Sequence, residues 1–390
     1  MLYVTRIQIL ILVSALVFGV FFRVLLPSSD EPDYFIRVDT VFRSDFKDWS
    51  PYIIVPDNKV SPLMDSACEI TALVPGLYYD VGGDYCSQDV STIAYRCMVF
   101  AIHILVIGAS LSLIARRPKN NDHFVGNKLH IDATYISILM PAYLYYVSAF
   151  SFETWALIFS TLAGLLLHRP LLYLILALYI YLFDSGNALL LLSFFAFRFS
   201  LISIHKNIGG KATILTLFSL VTVLYFIGTY LIQNIGGLAQ FSSELVSLSS
   251  AYNSDRGLEI ISKYPLIARP FITFLTFCFM TPAQIFFAPL TVLMGYFFFK
   301  EIRYSKWYLK TGFRRGPQPE RQMYLEFYCA LSFIISFIFV VPGYASAKYY
   351  IFLAPFLISP IICRLGVRKP FVFFSISNLV LIQMFIITKI

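Results

Sequence analysis

Apolar stretches of near-span length recur along the whole chain, separated mostly by short polar connections. A bilayer core of about 30 Å takes roughly 20 apolar residues as a helix. The pattern predicts spans at 7–26, 94–115, 132–150, 153–168, 171–183, 187–204, 212–233, 270–299, 325–341, 348–363 and 371–388. Several are short and require tilt or local thinning of the bilayer. The stretch 270–299 is too long for one straight span and contains Pro282 and Pro289. It reads as one broken or re-entrant element, which is tolerated at depth only where protein or a cavity covers it. The expected fold class is therefore all-α: a polytopic transmembrane bundle of about eleven spans, forming one integral membrane domain over residues 1–390. A transmembrane barrel would instead show alternating strands of about 10 residues.

Composition agrees with this pattern. The 390 residues are 58% hydrophobic and 13% charged, about half the charge fraction of a soluble chain. Too few charges remain to cover a water-facing surface. The formal charge of +8 does not point to nucleic acid, because the basic residues cluster in short connections between apolar runs. With the spans above, Arg116, Arg117, Lys119 and Lys128 fall on one face. His168-Arg169, Arg198, Lys206 and Lys211 join them, as do the basic loop 300–324 and Arg364, Arg368 and Lys369. The positive-inside rule makes that face cytoplasmic and puts the N-terminus there. The first run, 7–26, is longer than a typical signal h-region and ends in Pro27-Ser28-Ser29-Asp30, so it reads as an uncleaved anchor.

The opposite face receives a long loop, 27–93, and a second one, 234–269. The first carries twelve of the 22 carboxylates: Asp30, Glu31, Asp33, Asp39, Asp45, Asp48, Asp57, Asp65, Glu69, Asp80, Asp84 and Asp89. Cys68 and Cys86 lie in the same loop, where a disulfide is chemically feasible in an oxidising compartment, with Cys97 a competing partner. No metal-ligand spacing, Walker loop or dinucleotide-binding glycine motif is present, so ATP hydrolysis and Rossmann cofactors lack support.

Four features can carry chemistry. Asp30-Glu31-Pro32-Asp33 stands directly after the first span; it is either a solvated acidic loop start or a general base held at the lipid surface. Glu153 opens a span in Ser151-Phe152-Glu153-Thr154-Trp155, meeting water or facing the bundle as a site residue. Phe183-Asp184-Ser185-Gly186-Asn187 reads as a tight turn or a second acidic contact on the same outer face. The outer-side cations Arg37, Arg256, Lys263, Arg269 and Lys348 break the positive-inside trend. They pair with acidic loop residues or bind phosphate at headgroup level, where charge-assisted bonds are strong.

This layout resembles the GT-C superfamily of membrane glycosyltransferases and the bacterial O-antigen and exopolysaccharide polymerases. The resemblance rests on the first span followed by an outer loop opening with Asp30-Glu31. It rests also on Phe150-Ser151-Phe152-Glu153, the basic turn His168-Arg169-Pro170, and Asp184-Ser185-Gly186-Asn187-Ala188. Late in the chain Ala347-Lys348-Tyr349-Tyr350 runs into Leu353-Ala354-Pro355-Phe356, with Lys348 where arginine is commoner. The resemblance implies inverting-type sugar transfer from a polyprenyl-(pyro)phosphate-linked donor on the periplasmic side of the cell inner membrane. Asp30 or Glu31 would then be the base for the acceptor hydroxyl. Arg269, Lys348 and Arg256 would stabilise the departing lipid phosphate. Asp33, Arg37, Glu153, Asp184 and Tyr349 would complete the substrate site. The partners expected are a polyprenyl-linked sugar or oligosaccharide and membrane lipid, and no nucleic acid. No cofactor is expected, with a divalent metal left open.

Two other readings stand beside it. A transporter or flippase of lipid-linked glycans requires charges buried mid-span and interrupted helices in both halves of the chain. A structural or assembly subunit makes the acidic loop a docking surface.

Overall fold

The computed structural model describes residues 5–25, 90–115, 121–148, 152–167, 169–181, 185–208, 219, 223, 265, 268, 289–311, 313, 316–340 and 347–389. Every regular element among them is helical, and no strand occurs among the described residues. In chain order the helices are α1 (Arg6–Leu25), α2 (Val90–Ala115), α3 (Asn121–Ile138), α4 (Pro141–Ser148), α5 (Phe152–Leu165) and α6 (Pro170–Tyr181). There follow α7 (Ser185–Ile208), α8 (Pro289–Lys310) and α9 (Gln318–Val340), a 3₁₀ segment (Ala347–Leu353), α10 (Ala354–Leu365) and α11 (Arg368–Lys389).

The pattern-derived spans and the helices coincide closely at α1, α2, α5, α6, α7 and α11. Three differences have physical causes. The expected span 132–150 is split into α3 and α4 at Leu139 and Met140, because Pro141 disfavours helical backbone in the residue before it. The break is buried, and the Leu139 carbonyl accepts a 2.8 Å hydrogen bond from the Asn378 amide of α11. The stretch 300–324, expected as a basic loop, falls largely on the two helices α8 and α9. Arg198, counted with the basic connections although the expected span 187–204 contains it, lies inside α7. The predicted loop segments 27–89 and 234–264 lie outside the described residues, as do Cys68, Cys86 and the prolines and breaks expected over 269–288.

Among the described residues one helix segment, Asn187–Ile204, is long and apolar enough to cross a membrane by length and composition. Shorter apolar segments occupy Arg6–Phe22, Phe100–Ile114, Ala156–Leu165, Pro170–Tyr181 and Tyr349–Leu365.

Packing is by close helix contact. A Cβ built on Gly19 of α1 would sit 2.0 Å from Phe100 of α2, and one on Gly108 of α2 would sit 2.9 Å from Leu12. As residue numbers fall along α1 they rise along α2, so this pair is antiparallel. Phe194 against Phe333, and Arg198 against Glu326, make α7 and α9 antiparallel in the same way. Tyr173 of α6 stacks on Phe195 and donates a 2.8 Å hydrogen bond to the Leu191 carbonyl of α7. Phe356 of α10 sits at the centre, against His130 of α3 and Phe194 of α7. At the far end of α10, Gly366 takes φ +72° and its N–H bonds the Ile362 carbonyl; only glycine does this without strain, and the chain turns directly into α11.

Around an apolar core, apolar stripes also face outward and a set of polar groups is buried. Ile9, Val13, Val17 and Phe21 form a half-exposed stripe on α1, and Leu171, Ile175 and Leu178 of α6 are 53–71% exposed. Val372, Ile376 and Leu379 do the same on α11. By contrast His103, Thr134, Ser137, Ser160, Glu301, Ser305 and Asn378 are buried. The buried hydroxyls of Ser137, Ser160, Thr161, Ser305, Ser359 and Ser377 bond carbonyls one turn back in their own helices. That arrangement satisfies a hydroxyl with no water present.

Candidate functional site

The helix pairings define two ends of the bundle. Because α7 and α9 are antiparallel, the start of α7 and the end of α9 lie together. The hairpin of α6 and α7 brings the end of α6 to the same place. Phe159 of α5 packs edge-on against Tyr179 of α6, so the start of α5 joins them. Tyr350 of the 3₁₀ segment packs edge-on against Phe333 and Phe337 in the C-terminal half of α9, so that segment opens at this end too.

Of the residues singled out in the sequence, three fall on described elements here. Glu153 is the second residue of α5, and Lys348 and Tyr349 are the second and third of the 3₁₀ segment. α5 and the 3₁₀ segment pack together: a Cβ on Gly164 would lie 3.5 Å from Phe356 and 3.8 Å from the Phe352 carbonyl. At about 1.5 Å per helical residue and 2 Å per 3₁₀ residue, Glu153 is ~16 Å before that contact and Lys348 ~8 Å before it. Tyr349 is half-buried against the core. Asp30, Glu31, Asp33, Arg37, Asp184, Arg256, Lys263 and Arg269 lie outside the described residues.

The other end carries the charge. Eight of the described cations, Lys300, Arg303, Lys306, Lys310, Arg321, Arg364, Arg368 and Lys369, lie toward the end of α8, the start of α9, the end of α10 or the start of α11, whereas Lys348 and Lys389 belong to the opposite end. Here the structure brings together groups that sequence reasoning left apart. Glu301 of α8, fully buried, forms an ion pair with Arg364 of α10. Burial holds the Glu301 carboxyl above its ordinary value, and the Arg364 guanidinium offsets only part of that. The Tyr308 hydroxyl of α8 donates to Glu320 of α9, and Ser305 and Tyr328 share a 2.7 Å hydrogen bond beside it. Burial first, and then Glu320, push the Tyr308 hydroxyl upward.

Deeper in the bundle, Arg198 Nε donates to both Glu326 oxygens at 3.0 and 2.7 Å. Gln8 of α1 donates a 2.9 Å hydrogen bond to Asp132 of α3. The signal for these pairs was available: Arg198 stands in Phe197-Arg198-Phe199 and Glu326 in Leu325-Glu326-Phe327. An ionisable group inside an apolar run requires a partner. Among the described residues no three His, Cys, Asp or Glu side chains cluster to hold a metal ion.

Compared with known proteins, the chain matches no family model, no curated protein and no solved structure.

Proposed function

We propose that this chain is a multi-pass inner-membrane glycosyltransferase or polysaccharide polymerase, built as a GT-C-like bundle of about eleven spans. In this reading it transfers sugar from a polyprenyl-(pyro)phosphate-linked donor at the periplasmic face. The observation that carries the reading is the concentration of cations at one end of the bundle. The elements bearing Glu153 and Lys348 open together at the end opposite the basic one. The positive-inside rule makes the basic end cytoplasmic and the other periplasmic. The apolar stripes on α1, α6 and α11 support a lipid-facing surface, since soluble monomers rarely expose contiguous apolar area beyond a few hundred Å².

In the reaction, Asp30 or Glu31 takes the proton of the acceptor hydroxyl. The freed oxygen attacks the anomeric carbon, and the bond from that carbon to the lipid phosphate breaks. Negative charge gathers on the departing phosphate, where Lys348, Arg269 and Arg256 oppose it; stabilisation of developing charge is usually the largest catalytic contribution. The test is glycan chain formation in membranes carrying Asp30→Asn, Glu31→Gln, Arg269→Ala or Lys348→Ala at unchanged expression. Loss of product in these variants is expected, and wild-type output from all four removes the reading.

One observation favours transport of lipid-linked glycans as the alternative. Arg198–Glu326 and Gln8–Asp132 are polar pairs within helices, as a translocation path requires. Movement of a labelled lipid-linked glycan across liposomes, with no covalent change, would reverse the ranking.

A further inference from the structure

At the basic end a small apolar groove opens between α8, α10 and α11. Phe297, Ile358, Ile361, Leu365 and Phe373 line it, and Lys369 stands among them as its charged member. Phe297 packs edge-on against Phe373, 6.0 Å between ring centres. Lys300 lies one turn beyond Phe297, toward the end of α8, and Lys369 one turn before Phe373, at the start of α11. Both ends are at the basic end, so Lys300 and Lys369 stand at similar depth.

The charges around this groove are unbalanced. The nearby carboxylate, Glu301, is committed to Arg364. Arg368 and Lys369 are exposed and have no carboxylate partner among the described residues. Both sit in the first turn of α11, which has no acidic residue. Cations there oppose the positive pole of the helix, an arrangement that an anion relieves.

We propose that this groove binds one anionic glycerophospholipid of the cytoplasmic leaflet, with an acyl chain against Phe297, Ile361 and Phe373 and its phosphate on Lys369 and Arg368. Shape and charge argue for the same occupant. The wall is apolar, as contact with a hydrocarbon chain requires, and Lys369 and Arg368 stand beside it at the basic end. Cations near an anionic leaflet add to its attraction. The proposal rests on the membrane reading but not on sugar transfer.

The test uses the full chain, delipidated in detergent, with thermal melting and native mass spectrometry as readouts. Phosphatidylglycerol should add as one tightly held copy and raise the melting temperature, while phosphatidylcholine of the same chain length should do neither. Arg368→Ala with Lys369→Ala should weaken retention at least tenfold, and Ile361→Trp, which fills the groove, should do the same. Lys306→Ala with Lys310→Ala removes equal charge from the same end and should leave retention unchanged. Equal retention of phosphatidylcholine overturns the proposal, as does equal loss in the control pair. Tighter retention of polyprenyl phosphate than of phosphatidylglycerol overturns the choice of lipid. Carbonate extraction of membranes is run alongside. Release of the chain fails the membrane reading itself, whereas an embedded chain with no lipid preference fails this proposal alone.

Discussion

Arg198 of α7 grips Glu326 of α9 with a two-pronged guanidinium–carboxylate contact, its Nε at 3.0 and 2.7 Å from the two carboxylate oxygens. The side chains are 17% and 11% exposed, so neither charge has much access to water. Removing one partner leaves the other buried and uncompensated, which costs about 3–5 kcal/mol. Replacing both with apolar side chains of similar volume is often neutral. Arg198→Ala and Glu326→Ala should each lower the melting temperature of the detergent-purified protein sharply. The double variant Arg198→Met with Glu326→Leu should melt close to wild type. A double variant as damaged as the singles would assign the pair a role beyond mutual neutralisation.

Gly19 of α1 leaves the room that the Phe100 ring of α2 occupies. A Cβ at residue 19 would sit 2.0 Å from the Phe100 ring, well inside any allowed separation. Gly19→Ala should therefore cost about 1–3 kcal/mol through overpacking, despite the better helix propensity of alanine. In a Phe100→Ala background the same change should add little, since the ring that blocks it is gone. The check is unfolding of all four proteins of the cycle in the same detergent. Equal cost in both backgrounds would mean the helices do not meet at this point.

Glu301 stands on α8 beyond the expected span, and burial raises its carboxyl above the ordinary 4.5 despite Arg364. A raised folded-state value means that the native protein holds the proton more tightly than the unfolded chain does. Stability from this group is full below the ordinary value and is lost as pH rises through the raised one. Melting temperature should thus fall from its acid-side value across that window. Glu301→Gln, uncharged throughout, should lack that component of the slope. A variant whose slope matches wild type would contradict the assignment.

Much of the bundle was legible because long apolar runs report helices directly. α1, α2, α6, α7 and α11 begin and end within a few residues of the expected spans. Pro141 marked a break that a hydropathy average smooths over, since one proline barely changes the mean while it removes a backbone donor. The basic stretch 300–324 was read as loop because its charges outweigh its apolar positions. Yet Tyr304 and Tyr308, and Tyr324 and Tyr328, each stand at i, i+4 spacing, and Tyr308 stacks on Tyr324 across the hairpin. Partner identities were not legible. Nothing local to Glu301 designates Arg364, 63 positions away, because that pairing is created by the packing of α8 on α10.

The central claim is that the acidic start of the first loop shares one side of the membrane with Glu153 and Lys348, opposite the basic end. Single cysteines at positions 30, 153, 348, 310 and 368, in a background without the native cysteines, test it with a membrane-impermeant maleimide. Positions 30, 153 and 348 should react in intact cells, and 310 and 368 only after permeabilisation. Reaction of positions 30 and 348 from opposite sides would contradict the account.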